Sequence, residues 1–218
     1  MPVVLIVNPK GGVGKSTVAT NLAGWFAARG HATMLGDLDR QQSALGWLAR
    51  RPPTAPRIHT WELDAERIAR PPRGITHVVL DAPAAIHGQA LKEALRAADR
   101  IVVPLQASLF DICATQAFVD KLAARLGEKC AAQAGVLGVR VDARTRAAEQ
   151  LRRFVAGLHL PVLGFLRDTQ NYVQLAAHGL TLWDVAPARV EKDLAQWQPL
   201  LAWLETGVLP PAASDGGD

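Results

Sequence analysis

The sequence predicts an α/β fold in which a mainly parallel, twisted sheet carries helices on both faces. Short apolar segments alternate with helical segments along most of the 218 residues, and this alternation is typical of right-handed βαβ units. In addition, the first apolar run leads directly into a glycine-rich loop and then a helix, with residues 8–17 reading Asn-Pro-Lys-Gly-Gly-Val-Gly-Lys-Ser-Thr. We expect residues 1–208 to form a single domain of ordinary size.

The predicted strands are short runs rich in valine, leucine and isoleucine. The first, Val3–Val7, is apolar throughout, which suits a strand buried on both faces. Segment 51–74 is rich in proline and arginine and leaves room only for a short strand. In chain order, the later strands are predicted at 32–36, 57–60, 76–80, 100–104, 134–141 and 161–165.

The predicted helices separate these strands and end at recognisable residues. The first ends at Gly30 and the second stops before Pro52, because glycine and proline both terminate helices. The tail, residues 209–218, is rich in proline, glycine and small residues, and we expect it to be disordered. The helices are predicted at 16–29, 41–50, 88–97, 111–126, 144–157, 170–178 and 189–205.

The composition argues against a membrane-spanning, a disulfide-rich or a zinc-binding protein. No apolar stretch approaches the roughly 18–20 residues that span a bilayer, and the first residues form a strand rather than a signal peptide. Cys113 and Cys130 are too few for a disulfide scaffold or a zinc site, so we expect packed, reduced thiols in a cytoplasmic protein. The net charge of +4 permits binding to nucleic acid without requiring it, and a GC-rich genome would also give many arginines and alanines.

The glycine-rich loop is suited to binding phosphate. Glycines at positions 11, 12 and 14 let the backbone curl and point its N–H groups inward. Lys15 can reach the β- and γ-phosphates of a nucleotide, and the Ser16 hydroxyl is placed to bind Mg²⁺. The positive end of the following helix lies at the same point. These features together predict a nucleoside-triphosphate site.

The loop departs from the common G-x-x-x-x-G-K-[S/T] pattern in an informative way. Pro9 stands at the first glycine position, and a second lysine, Lys10, lies at the start of the loop. The segment resembles the deviant Walker A motif of the ParA/MinD group of ATPases. The resemblance implies a P-loop NTPase fold, ATP and Mg²⁺ as cofactors, and nucleotide contacts from Lys10, Gly11, Gly12, Val13, Gly14, Lys15, Ser16 and Thr17.

Two carboxylates follow the second strand, in the segment Gly36-Asp37-Leu38-Asp39-Arg40-Gln41. This segment resembles the D-x-D-P-Q stretch of ParA-type proteins, with Arg40 in place of proline. The resemblance implies that Asp39 positions the attacking water and helps to hold Mg²⁺, and that Asp37 supports the loop. Alternatively, Asp39 caps the helix that starts near residue 41; the two roles are compatible.

A third carboxylate, Asp81, closes the apolar run Val78-Val79-Leu80. This is a Walker B arrangement, in which the acid lies beside the metal. We therefore predict Mg²⁺ ligands at Ser16, Asp39 and Asp81, with residues 82–88 as a second switch loop. The alternative is that Asp81 caps a turn.

Two later segments resemble the same group. Pro104-Leu105-Gln106, followed by Asp111, is similar to a stretch that lies near the dimer interface of ParA-type proteins. Residues 163–174 resemble a stretch that contacts adenine, which implies nucleotide contacts from Arg167 and Asp168. Either residue could instead cap a helix.

The resemblance also implies a mechanism for Lys10. In ParA/MinD relatives this lysine crosses the interface of an ATP-bound homodimer and contacts the partner's nucleotide, much as an arginine finger does. We therefore expect Lys10, Lys15 and Asp39 to carry catalysis, with slow intrinsic turnover. Dimerisation would depend on ATP, and hydrolysis would loosen the dimer.

The short chain resembles the small ParA subgroup that includes ParF and carboxysome-positioning relatives. This implies nonspecific DNA binding by the ATP dimer, association with the nucleoid, and a cargo-associated protein that stimulates hydrolysis. The cargo stays open among plasmid, chromosome and protein assembly. Each arginine could instead lie on a solvated face. The candidate DNA contacts are Arg140, Arg144, Arg146, Arg152, Arg153, Arg189 and Lys192.

Three rival functions share this loop. A MinD-like membrane cycler needs a basic amphipathic C-terminal helix, whereas this tail is short, acidic and contains proline, so we expect no membrane binding. A dethiobiotin-synthase-like ligase or cobyrinate-amidating enzyme needs a carboxylate-substrate pocket, for which no residue set stands out. A nitrogenase-reductase-type iron–sulfur ATPase needs cysteines at strand ends, and Cys113 and Cys130 fall within or after a helix.

Overall fold

A sheet of seven strands forms the centre of the computed structural model, which describes residues 2–61, 68, 70–142 and 144–208. The predicted tail at 209–218 lies outside the described residues. The strands are β1 (Val3–Ile6), β2 (Thr33–Asp37), β3 (Ile58–Trp61), β4 (His77–Asp81), β5 (Arg100–Leu105), β6 (Ala134–Gly138) and β7 (Val162–Phe165).

The strand order is β3-β2-β4-β1-β5-β6-β7, and every neighbouring pair is parallel. This confirms the prediction of a mainly parallel sheet. Since β1 lies at its middle, the carboxyl ends of β2 and β4 flank the glycine-rich loop on one side and those of β5 and β6 on the other. In open α/β sheets, ligands bind at this edge.

Helices cover both faces of the sheet, as predicted. Within the described residues, none of them is both long and apolar enough to cross a membrane. Short 3₁₀ turns at Gly127–Lys129 and Leu182–Asp184, and the one-turn helix α5, were not predicted because each is too short to show a periodic pattern. The helices are α1 (Lys15–Ala28), α2 (Ser43–Leu48), α3 (Gly88–Ala97), α4 (Leu109–Leu126), α5 (Cys130–Gln133), α6 (Arg146–Ala156), α7 (Gln170–Ala177) and α8 (Pro187–Thr206).

Alternate side chains along the strands pack into two hydrophobic cores, one on each face of the sheet. On β1, Val3 and Leu5 pack in the layer under α3, α4 and α6, whereas Val4 and Ile6 pack in the layer under α1, α2, α7 and α8. Trp197 of α8 is fully buried in the second layer, which agrees with the core role predicted for that helix face. Burial on both sides explains why β1 is continuously apolar, whereas the edge strand β3 carries His59 and Thr60, which are not buried.

The backbones of α1 and the Thr181–Asp184 segment approach closely. Asn21 of α1 accepts hydrogen bonds from Leu182 N (3.2 Å) and from Trp183 Nε1 (2.9 Å). Thr181 is fully buried against Gly24, where an added Cβ would lie 2.5 Å from the threonine side chain. Only glycine at position 24 allows this contact, which fixes the helix that begins at the glycine-rich loop.

Replacing Gly24 with alanine is therefore expected to lower the free energy of unfolding by about 1–3 kcal/mol, because the new methyl group overpacks a rigid contact. Gly46→Ala in α2 is the matched control, since its Cβ would meet nothing closer than Arg50 Nη1 at 3.7 Å. The control should be neutral or stabilising by up to about 1 kcal/mol. Urea unfolding measures both, and equal effects of the two substitutions would refute the packing argument.

Candidate functional site

The glycine-rich loop joins β1 to α1, and its conformation requires glycine at two positions. Gly12 and Gly14 have φ of 77° and 88°, in the left-handed region that favours glycine. At Gly14 an added Cβ would also lie 3.0 Å from Val139 Cγ1. Two of the glycines in the predicted phosphate-binding loop are thus required by the backbone conformation just before α1.

Side chains that follow β1 and β5 hold the loop in place. Asn8 is fully buried; its Nδ2 donates to Pro104 O (2.8 Å) and to Thr115 Oγ1 (3.0 Å), and its Oδ1 accepts from Lys10 N (2.8 Å). Gln106 Nε2 donates to Gly12 O at 2.9 Å. Neither Asn8 nor Thr115 was predicted from the sequence. An amide directly after an apolar strand could have indicated Asn8.

Lys15 lies inside the loop. Its side chain is largely buried, and Nζ donates to the Lys10 carbonyl at 2.8 Å. Burial lowers the pKa of Lys15, while the nearby carboxylates of Asp81 and Asp39 act in the opposite direction. The ammonium group is therefore desolvated inside the loop, which favours binding of an anion.

Asp81 lies at the end of β4 and is 2% exposed. Burial raises its pKa to about 7; the Ser16 side chain opposes this rise, whereas the Asp37 carboxylate adds to it. Its Oδ1 atom is buried without a hydrogen-bond partner. An unpartnered buried acid oxygen beside a hydroxyl suits a bound cation.

The donor set at this position fits Mg²⁺. Asp81, Ser16 and Asp39 offer hard oxygen atoms, the ligands that Mg²⁺ prefers. Among the described residues, no group of three or more His, Cys, Asp or Glu side chains is arranged to hold a metal ion. A magnesium ion here would therefore take its remaining ligands from phosphate and water.

The two carboxylates after β2 have different environments. Asp37 is buried; its Oδ1 accepts from Asp39 N (2.9 Å), and its Oδ2 accepts from Ala44 N (2.9 Å) and Leu45 N (3.4 Å). Asp37 thus caps the first turn of α2 and supports the loop, as its predicted structural role implies. The alternative that Asp39 caps this helix was wrong, because Asp39 Oδ1 accepts only from Gln41 N in the preceding turn (3.0 Å).

These elements surround a cavity of about 610 Å³ at the carboxyl edge of the sheet. One wall is the glycine-rich loop, and the others come from the segments after β2, β4 and β6. The cavity is large enough for a nucleotide polyphosphate. Its lining residues are Gly11, Gly12, Gly14, Lys15, Ser16, Thr17, Asp39, Gln41, Ser43, Ala82, Pro83, Ala84, Ala85 and Arg140.

Lys10 points in a different direction from Lys15. Its Nζ lies 3.7 Å from Asp111 Oδ1 in the first turn of α4, and its side chain is 42% exposed. The carboxylate of Asp111 is mostly buried. Lys10 is therefore held at the surface beside the cavity rather than inside it.

Arg167 and Asp168 are not among the residues that line the cavity. Arg167 Nε donates to the fully buried Asp193 of α8, and this hydrogen bond raises the pKa of Arg167. Asp193 also accepts from Asn171 Nδ2 at 2.6 Å. Thr169, not Arg167 or Asp168, caps α7 by accepting from Asn171 N, so the capping alternative was wrong and their contact with nucleotide stays a prediction.

The predicted DNA contacts lie in three places. Arg144 pairs with Asp142 and Arg153 with Glu149, at 3.1 and 3.0 Å, and both arginines are highly exposed. Arg152 stacks over Phe165 at 5.6 Å, and Arg146 is exposed at the start of α6. Arg189 and Lys192 are exposed on α8. Arg140 lies apart from both sets, in the cavity wall.

The profile of the CobQ/CobB/MinD/ParA nucleotide binding domain matches residues 4–182. The chain belongs to this family. It is 31% identical over 185 residues to the maintenance of carboxysome distribution protein A of Gloeobacter kilaueensis, covering 83% of each chain. It is also 31% identical over 183 residues to the chromosome-partitioning ATPase Soj of Thermus thermophilus, covering 68% of this chain and 73% of Soj.

A solved structure supports the fold. The apo structure of McdA from Cyanothece aligns with a TM-score of 0.71 at 15% identity, over 92% of this chain and 99% of that chain. At this identity the likeness shows the fold alone, a P-loop NTPase. Membership of the family implies a nucleotide-binding ATPase domain, in agreement with the cavity built around Lys15.

Asp81→Asn and Asp37→Asn should have opposite consequences. Asp81→Asn removes the buried carboxylate, so the stimulation of ATP binding by Mg²⁺ should disappear without a loss of stability in the nucleotide-free protein. Asp37→Asn keeps Mg²⁺ stimulation but weakens two charge-assisted hydrogen bonds to α2, at a cost of about 1–3 kcal/mol in unfolding free energy.

Titrations of ATP with and without Mg²⁺, together with chemical unfolding, separate the two roles. Retained Mg²⁺ stimulation in Asp81→Asn would contradict the proposed metal site.

Proposed function

We propose that this protein is an ATP-dependent dimerising switch that positions a cargo by nonspecific DNA binding and partner-stimulated hydrolysis. The observation that carries the proposal is the opposed placement of the two lysines of the loop. Lys15 is buried and aimed into the cavity, whereas Lys10 is held at its edge by Asp111. Because the Lys10 side chain is partly exposed, it can leave Asp111 to serve a site on a second copy.

The cavity residues have distinct roles in this proposal. Lys15 and the loop N–H groups bind the phosphates, and Asp81 and Ser16 hold Mg²⁺. The bound ion would neutralise charge on the phosphates. Asp39, half-buried and held by its backbone at Asp37 Oδ1, orients the attacking water. Hydrolysis by such a site alone is slow because, besides Lys15 and Mg²⁺, it lacks the further cation that neutralises charge on the transferring phosphoryl group in the transition state.

Lys10 supplies that missing charge in trans. Its ion pair with Asp111 must open before its side chain can reach across to a partner's nucleotide. The charged atoms of Lys10 and Asp111 lie 3.7 Å apart, and the lysine side chain is partly exposed. Such ion pairs are weak, so a polyphosphate on a second copy can displace Asp111 from Lys10. Two copies that exchange Lys10 side chains form a dimer that depends on ATP, and the dimer loosens when the γ-phosphate leaves.

Exposed arginines on α6 and α8 give the dimer its affinity for DNA. The pairs of Arg144 and Arg153 are exposed and contribute little to stability, so both arginines remain able to contact phosphate, as do Arg146, Arg189 and Lys192. Contacts of this type are independent of sequence and sensitive to salt. Dimerisation doubles the number of contacts with DNA phosphates. Because dimerisation depends on ATP, the affinity for DNA then depends on which nucleotide is bound.

The relatives support a positioning role. Their names concern the maintenance of carboxysome distribution and chromosome partitioning. We therefore propose a cytoplasmic, nucleoid-associated protein whose cargo is a chromosome, a plasmid or a protein assembly. A protein on the cargo would stimulate hydrolysis and release the switch from DNA.

ATP-dependent DNA binding is the decisive prediction. With a random-sequence duplex and fluorescence anisotropy, the protein should bind in ATP, bind much more weakly in ADP, and lose at least about tenfold in affinity between about 50 and 200 mM salt. Arg146→Glu combined with Arg189→Glu should weaken binding further. Lys129→Glu, at an exposed site in the turn after α4, is the matched charge control.

Two outcomes would count against the proposal. Affinity that does not change with ATP or with salt would remove the DNA-based switch. Nucleotide-dependent binding to anionic vesicles but not to DNA would favour a MinD-like membrane cycle instead.

A further inference from the structure

Arg140 occupies an unusual backbone position between β6 and α6. Its φ is 55°, and within the described residues only Gln42 shares a positive φ among non-glycine residues. The flanking residues are both buried and tied to neighbouring strands: Val139 N donates to Leu105 O (2.8 Å), and Val141 N donates to Leu166 O (3.0 Å). β6 ends at Gly138, earlier than predicted, and the positive φ turns the backbone at Arg140 between these two anchored residues.

The turn directs Arg140 toward the nucleotide cavity. Arg140 lines the same cavity as Gly12, Gly14 and Thr17, and its neighbour Val139 packs on Gly14. The nearest acid along the chain, Asp142, is engaged by Arg144, whose Nε lies 3.1 Å from Asp142 Oδ1. The ion pairs formed within the described part of the chain do not include Arg140, so its charge faces the cavity uncompensated.

The strand order shows which part of a polyphosphate Arg140 would meet. Asp39 and Asp81 follow β2 and β4, on one side of β1, whereas Arg140 follows β6, on the other side beyond β5. In the nucleotide binding proposed above, these acids would hold Mg²⁺ beside the γ-phosphate and so mark that end of the cavity. Arg140 therefore approaches the loop from the opposite side, beside the first turn of α1, where the α- and β-phosphates would lie.

We propose that Arg140 is a second phosphate ligand in cis, which contacts the α- and β-phosphates of a nucleotide bound to its own subunit. The proposal rests on the nucleotide binding proposed above. A guanidinium group presents two parallel N–H donors that match phosphate oxygens. This role replaces the predicted contact of Arg140 with DNA.

The test compares nucleotide affinities of Arg140 variants in the full chain. Arg140→Gly removes the side chain and suits the positive φ, so it should fold; Arg140→Gln gives a second variant that keeps a polar side chain. Titration with fluorescent ATP and ADP should show a roughly 10–100-fold loss in both variants, of equal size for the two nucleotides. Arg125→Ala, at an exposed site in the last turn of α4, is the matched control and should bind as the wild type does.

Steady-state kinetics supply an independent readout. Because Arg140 contacts the α- and β-phosphates in both the bound substrate and the transition state, and not the transferred γ-phosphoryl group, its loss should raise KM by far more than it lowers kcat at saturating ATP. DNA affinity measured at saturating ATP should also be unchanged. A merely structural role would lower the thermal stability of the nucleotide-free variants and would not spare kcat.

Several results would overturn the proposal. They are wild-type affinity for both nucleotides in Arg140→Gly and Arg140→Gln, a loss confined to ATP, or a loss of DNA binding with nucleotide affinity intact. Failure of the wild type to bind either nucleotide would instead refute the proposed function itself. Lys15→Ala, which should lose binding altogether, is the reference for complete loss.

Discussion

The structure of the site depends on one hydrogen bond, from the buried Lys15 Nζ to the Lys10 carbonyl. It closes the glycine-rich loop on itself and gives its two lysines opposite directions. The side chain of Lys15 is enclosed, and that of Lys10 lies outside against α4. A desolvated ammonium held by a single carbonyl is far from satisfied, so the loop is prepared to exchange this contact for phosphate oxygens.

The three acidic residues at the site differ in what surrounds their carboxylate oxygens. Asp37 has its oxygens occupied by backbone N–H groups and is structural. Asp81 has a buried oxygen with no partner and is suited to a cation. Asp39 is half-buried and faces the cavity. Similar residues at neighbouring strand ends thus have different roles because of what their oxygens contact.

Much of this could be predicted from sequence. The alternation of strands and helices, the glycine-rich loop and the acids after β2 and β4 are local patterns, and the structure places them at one edge of the sheet. Those signals are strong because the central strands are buried on both faces and because Gly12 and Gly14 are required by the conformation of the loop. The family resemblance added the role predicted for Lys10, which spacing alone does not reveal.

The features that the sequence did not reveal come from interactions between distant segments. Asp37 caps α2 because the chain folds back on it, and nothing in the spacing distinguishes it from Asp39. Arg140 lies in the cavity because β5 and β7 fix the residues on either side of it; by sequence it belongs with the arginines of α6. Cys113, expected to be packed, is exposed on α4, whereas Cys130 is buried.

The central claim is that the two lysines act on different subunits. Sedimentation of Lys10→Ala at saturating ATP tests it most directly. The account predicts that this variant stays monomeric while it binds ATP within about threefold of the wild-type affinity, since its own cavity is intact. An ATP-dependent dimer of Lys10→Ala, under conditions where the wild type also dimerises, would contradict the account.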